Sequence, residues 1–160
     1  TTEIYTLSLH DALPISKEFI NKYYELYPGV KKYMDNIVME AYREGYVKTL
    51  FNRKRVIDEL NNKNFMIRQS GERIALNTPI QGTSADIMKK AMVGVFNDMK
   101  KNNLRSRMLL QVHDELIFDV VEEEKEILEK IVRDNMEHCV TLAVPLKVSH
   151  DYGKDWYETK

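Results

Sequence analysis

Two apolar runs, RMLLQV and ELIFDV, stand on either side of a single dipeptide, His113-Asp114. Runs this short do not make stable helices, and two residues cannot carry a parallel crossover. A tight antiparallel hairpin is what remains, although His-Asp is not the favoured Asn-Gly type of turn. Its tip then carries three titratable side chains in a row, His113, Asp114 and Glu115.

The remaining periodicities place helices around that hairpin. Val30, Tyr33, Met34, Ile37, Val38 and Ala41 recur at helical spacing after Pro28-Gly29, with Gly45 as the stop, and Phe19, Ile20, Tyr23 and Tyr24 form an earlier helical set. GYVKTLFNRKRVI reads as two short strands about a turn near Asn52. A helix is expected from Asn64 to Leu76. Pro79 and Gly82 predict a break, after which Thr83 or Ser84 caps a second helix with Asp86 in its first turn. That second helix presents Ile87, Met88, Ala91, Met92, Val95, Phe96 and Met99 on one face. Glu122–Glu124 opens a further helix with Ile127, Leu128, Ile131, Val132 and Met136 inward and Cys139 on the same apolar face. Pro145 introduces a last strand, PLKVSHDY, anchored by Trp156 and Tyr157. The fold class is α+β, an antiparallel sheet covered by helices on one side.

Charge excludes some functions. Lys plus Arg is 24 and Asp plus Glu 25, a formal net charge of −1, so the chain is no uniformly basic packaging protein. The charge is segregated instead. Arg43–Arg73 holds eight basic residues against four acidic, a local +4, whereas Asp119–Glu137 holds three basic against eight acidic, a local −5. The first stretch suits phosphate and the second faces away from it, or each is an ordinary solvated face. The single cysteine excludes an internal disulfide and a cysteine-based zinc site. No apolar run approaches a membrane span, and a reducing cytoplasmic setting fits.

Two groups of residues could carry chemistry. Adjacent carboxylates at an exposed tip can hold a hard divalent cation such as Mg²⁺, which takes one or two carboxylates plus substrate phosphates. A lone His-Asp-Glu triplet is as readily a solvated turn, since turns favour Asp. In ERIALNTPIQGTSAD, Arg73 and Asn77 are one helical turn apart and Gln81 lies just beyond Pro79. Such fork-shaped donors suit base edges and sugar oxygens, and the acceptors common to all base pairs in the minor groove would let them grip a duplex without reading it. An amphipathic helix with a polar face is the plainer reading.

Taken together, YPGVKKYM, GYVKTLFNRKR, ERIALNTPIQGTSADIMKKAM, MLLQVHDELIFDV and VPLKVSHDYGKDWY resemble, in order and spacing, the C-terminal part of family A DNA polymerases. The likeness covers residues 17–160. It implies a partial polymerase palm with the end of the fingers, in which Val112-His113-Asp114-Glu115 is the family's motif C, a β-hairpin packed against helices. Asp114 would be one of the two aspartates that bind two catalytic Mg²⁺ ions, or Mn²⁺ in their place. Glu115 would be an auxiliary carboxylate and metal ligand, and His113 would lie close to the primer terminus. Arg73, Asn77 and Gln81, joined by Gln111, would track the minor groove, and Arg53 and Arg55 would sit in a basic fingers-side hairpin that meets DNA. The partners implied are primer–template DNA and deoxynucleoside triphosphates, with no membrane and no obligate protein partner, in a bacterial cytoplasm and in DNA replication or repair.

The resemblance also marks what the chain lacks. Nothing before Lys17 resembles motif A, which supplies the first metal-binding aspartate, or motif B, which holds the triphosphate. Residues 1–16 instead match, codon by codon from Thr1 to Ile15, the translation of a common short-read sequencing adapter, and are expected to be a non-native segment of arbitrary structure. The isolated chain is therefore expected to be inactive and prone to self-association. The alternative is a non-catalytic module that binds duplex DNA.

Overall fold

A computed structural model describes residues 9–159, and side chains over residues 18–159. The elements run in the order α1 (Leu9–Leu26), α2 (Pro28–Glu44), β1 (Tyr46–Lys48), β2 (Lys54–Val56), a 3₁₀ turn (Asp58–Asn61) and α3 (Phe65–Lys101). The hairpin β3 (Arg107–Val112) and β4 (Glu115–Asp119) follows, then a 3₁₀ turn (Glu122–Glu124) and α4 (Lys125–His138). The described residues form two compact units, residues 9–47 with 54–77, and residues 48–53 with 78–159, and α3 contributes to each.

In the first unit the local signals act as expected. Pro28, whose ring fixes φ and whose missing N–H costs nothing in a first helical turn, starts α2. Gly45 ends it at φ 75°, a left-handed conformation open to glycine, and its N–H donates to the Ala41 carbonyl at 2.9 Å. Asn52, which belongs to the second unit, turns the loop between β1 and β2 at φ 63°. Ile37, Ala41, Val47, Ile57, Leu60 and Ala75 form the core, with Ile57 fully buried. Burial of such a side chain is worth about 1.5–3 kcal/mol.

The second unit is built on Val95, Met99, Leu128 and Ile131, against which Leu104, Met108, Phe118, Val120 and Val132 pack. The α3 face contributing to it is narrower than the sequence suggests: Met88, Ala91, Val95 and Met99 are buried, but Phe96 is exposed, as is Ile127 on α4. The hairpin forms in the expected register, Val112 opposite Glu115 and Gln111 opposite Leu116, with an irregularity between Met108 and Leu110. A strand bends at such a point, and Leu109 and Leu110 are both exposed. At its base the Glu124 carboxylate accepts from the Arg105 and Ser106 backbone N–H groups and the Ser106 hydroxyl, at 2.7–3.0 Å.

Several expectations are corrected. There is no break at Pro79 and no cap at Thr83 or Ser84. Helix α3 continues through Pro79, and the Thr83 hydroxyl donates to the Pro79 carbonyl and accepts from the Leu50 N–H at 2.9 Å. Pro79 has no N–H for the Ala75 carbonyl, yet one lost hydrogen bond does not end the helix, and tertiary context overrides the local signal. The strands form two separate two-stranded sheets in place of one. PLKVSHDY is not a strand among the described residues. Its backbone has no ladder partner there, and side chains hold it to α4. The Val148 N–H donates to Glu137 Oε1 at 2.9 Å, His150 Nε2 lies 3.2 Å from Glu129 Oε2, and Lys125 Nζ sits 4.0 Å over the Tyr152 ring. Trp156 and Tyr157 thus anchor no strand, and Tyr157 is exposed. Of the segment 1–16, Leu9–Ser16 are the first turns of α1, because extending an existing helix is far cheaper than nucleating one; the rest lies outside the described residues.

Candidate nucleic-acid and metal site

The tip of the β3–β4 hairpin places His113 at φ 54°, a left-handed conformation in which histidine is enriched among non-glycine residues. The Gln111 amide donates to the His113 carbonyl at 2.6 Å and so braces the turn from its own strand. His113, Asp114 and Glu115 are all exposed. Neither Asp114 nor Glu115 enters any of the ion pairs found among the described residues. Two adjacent carboxylates with open coordination sites are the donor set that a hard divalent cation takes. Among the described residues no group of three or more His, Cys, Asp or Glu side chains could hold a metal ion. The tip fits a cation bound in part by other ligands, such as phosphate oxygens, and does not form a closed cage.

Helix α3 carries the second group. Arg73, Asn77 and Gln81 are all exposed and follow at successive four-residue intervals on an uninterrupted helix, so the shift in register expected at Pro79 does not occur. Arg73 Nη2 lies 3.4 Å from Gln69 Oε1, a long contact that leaves most of its donors available.

The basic ribbon differs from expectation. The Arg53 Nε donates to Asp86 Oδ1 at 2.8 Å and its Nη2 to the Gly82 carbonyl at 3.1 Å. Burial pushes the Asp86 carboxyl up, but hydrogen bonds from Thr49 and Arg53, with the charges of Arg53 and Lys89, outweigh it and hold the group below its ordinary value. Asp86 therefore serves an ion pair and not a helix first turn. Lys54 Nζ lies 4.3 Å over the Tyr46 ring, and Arg55 is exposed. The structure brings Arg53, Gly82, Thr83 and Asp86 together. The sequence marks Gly82 as a break and Glu124 as part of a helix start, whereas Gly82 packs against the loop side chains and Glu124 holds the base of the hairpin; a glycine inside a helix costs about 1 kcal/mol against alanine, which signals close packing.

The chain resembles known proteins over most of its length. The sequence pattern of DNA polymerase family A matches residues 8–158. The chain is 52% identical over 143 residues to DNA polymerase I of Bacillus caldotenax, which covers 89% of this chain and 16% of that protein. It is 54% identical over 142 residues to DNA polymerase I of Bacillus subtilis (strain 168), again 89% of this chain and 16% of the relative. The chain thus spans about one-sixth of the length of these curated relatives. Among solved structures it resembles the POL domain of Pol1 from M. smegmatis in complex with DNA primer-template and dNTP, at a TM-score of 0.88 and 43% identity, covering 91% of this chain and 26% of that one. No helix among the described residues is long and apolar enough to cross a membrane.

Proposed function

Because the chain belongs to DNA polymerase family A, we propose that it forms part of a DNA-directed DNA polymerase, namely the portion that meets the primer end of a primer–template duplex. The observation that carries this reading is the exposed His113-Asp114-Glu115 tip, whose two carboxylates have no ion-pair partner among the described residues. Asp114 and Glu115 would hold a divalent cation, Mg²⁺ or Mn²⁺ in its place. Bound there, such ions supply electrostatic stabilisation at the phosphorus and at the attacking and leaving oxygens of an in-line displacement.

The chain's own residues have separate tasks. Arg73, Asn77, Gln81 and Gln111 donate to minor-groove acceptors shared by all base pairs, which fixes the duplex without selecting sequence. His113 lies beside the primer terminus, and Arg55 adds positive charge on the ribbon. Deoxynucleoside triphosphate is the second substrate of the whole enzyme, which works in the bacterial cytoplasm. Although the family pattern reaches back to residue 8, the codon match to adapter DNA favours residues 17–160 as the family's part of the chain and 1–16 as a non-native appendage, and sequencing the source DNA across the Ser16–Lys17 junction reads this directly.

Titration of the ¹⁵N-labelled chain with Mn²⁺ tests the metal assignment. Amide signals of residues 112–116 should broaden first, and Asp114→Asn should abolish the effect. Uniform broadening, or broadening that survives Asp114→Asn, would overturn it. A non-catalytic duplex-binding role for the chain by itself is the second reading, favoured by Arg73, Asn77 and Gln81 following one another, exposed, along one helix. The purified chain should therefore bind primer–template without extending it, and extension abolished by Asp114→Ala would contradict this.

A further inference from the structure

Within the second unit, the loop joining β1 and β2 is tightly stapled and then fastened to α3. Thr49 N–H donates to the Arg53 carbonyl at 3.0 Å, Asn52 N–H to the Thr49 carbonyl at 2.9 Å, and Arg53 N–H to Thr49 Oγ1 at 3.2 Å. From this loop, Leu50 N–H reaches Thr83 Oγ1, the Arg53 fork reaches Asp86 and the Gly82 carbonyl, and the Phe51 ring lies 4.7 Å under Lys90 Nζ. Gly82 is where α3 receives the Thr49 and Arg53 side chains of the loop. A Cβ there would stand 2.7 Å from Thr49 Cγ2 and 3.3 Å from Arg53 Nη2, so no larger residue fits without displacing the loop. The Asp86 side chain is only 13% exposed, whereas Arg53 is 49% exposed. These fastenings fall in the turns just after Pro79 and lie next to Gln81.

We propose that Arg53 and Asp86 are positioning residues for duplex binding, a matched pair that seats the basic loop on α3 and fixes the turn carrying Gln81, while the Arg53 guanidinium makes no phosphate contact of its own. The inference rests on the duplex-binding reading above. It reassigns Arg53 from ligand to brace, and it gives Asp86, an acidic residue, a part in binding an anion. The fork geometry matters here, because a guanidinium spans a carboxylate and a carbonyl at once and an ammonium does not.

The two accounts of Arg53 differ in sign at Asp86. Duplex affinity is measured by fluorescence anisotropy over a range of salt for the unaltered chain, Asp86→Asn, Arg53→Gln, Arg53→Lys and the double variant Arg53→Gln/Asp86→Asn, with a thermal melt of each. Removing a negative charge should strengthen, or leave unchanged, binding governed by charge alone. The brace predicts instead that Asp86→Asn weakens binding about tenfold, as do Arg53→Gln and Arg53→Lys, that the double variant is no weaker than either single, and that the salt slope stays constant. A phosphate-contacting Arg53 would lower the slope by about one in Arg53→Gln. Equal or tighter binding by folded Asp86→Asn overturns the inference alone. If Asp86→Asn does not fold, the slope of Arg53→Gln decides, an unchanged slope supporting the brace and a shallower one refuting it. Absence of duplex binding by the unaltered chain overturns the functional reading and this inference with it.

Discussion

Glu124 shows how one side chain can set the geometry of an element some distance away. Its carboxylate accepts from two backbone N–H groups and a hydroxyl, and Ser106 Oγ in turn accepts from Val121 N–H at 3.0 Å, so the residues leading into β3 are tied to those leading into α4. The backbone donors of Arg105 and Ser106, then the Ser106 hydroxyl, lower the Glu124 pKa from 4.5 to about 2. A carboxylate held down in the folded state stabilises the fold fully above its ordinary pKa, and that contribution fades as pH falls from 4.5 towards 2. Melting temperature should therefore drop over that window, and Glu124→Gln should melt lower at pH 7 with a flatter acid limb. An unchanged acid limb would show that other groups set it. Gly94 is a second single-residue constraint. A Cβ there would collide with the Asn135 amide, whose Nδ2 bonds Asp98 Oδ2 at 2.8 Å and the Ile131 carbonyl at 2.9 Å. Gly94→Ala should lower stability by about 1–3 kcal/mol in urea denaturation, despite alanine's higher helix propensity.

At the scale of elements, the parts that local chemistry decides were legible in the sequence. The His113-Asp114 turn, the Pro28 start and the Gly45 stop each need only a residue's own dihedral preference or hydrogen-bonding capacity. Helix α3 continues past Pro79 against the local signal, with Thr83 Oγ1 donating to the Pro79 carbonyl and accepting from the Leu50 N–H, a partner 33 positions away that no local pattern announces. PLKVSHDY was misread for the converse reason, since alternation marks a strand only where another strand is present to pair with it. Among the candidate site residues, types and exposure could be foreseen, but the engagement of Arg53 by Asp86 could not, being a contact across 33 positions of sequence. A proline inside a helix costs about 3 kcal/mol, so Pro79→Ala should raise stability by a measurable part of that if α3 is continuous. A loss of stability in Pro79→Ala would show that the proline shapes the helix favourably.

For the whole molecule, each compact unit has its own small core, and large apolar side chains remain outside both. Ile57→Ala should cost about 2–5 kcal/mol, and Ile57→Val about 0.5–1.5. In the second unit Val93, Phe96, Leu109 and Leu110 are all more than half exposed. Apolar surface of this kind favours association, so sedimentation should report reversible oligomers whose fraction rises with concentration, and a chain that stays monomeric throughout would refute that. The central claim, that this chain grips a primer–template duplex through α3, is tested most directly by its affinity for duplex DNA of two unrelated sequences across a salt series. The account predicts equal affinity for both sequences, log Kd linear in log salt, and at least about tenfold weaker binding when Arg73→Ala and Asn77→Ala are combined. Affinity unchanged by that double substitution would contradict it.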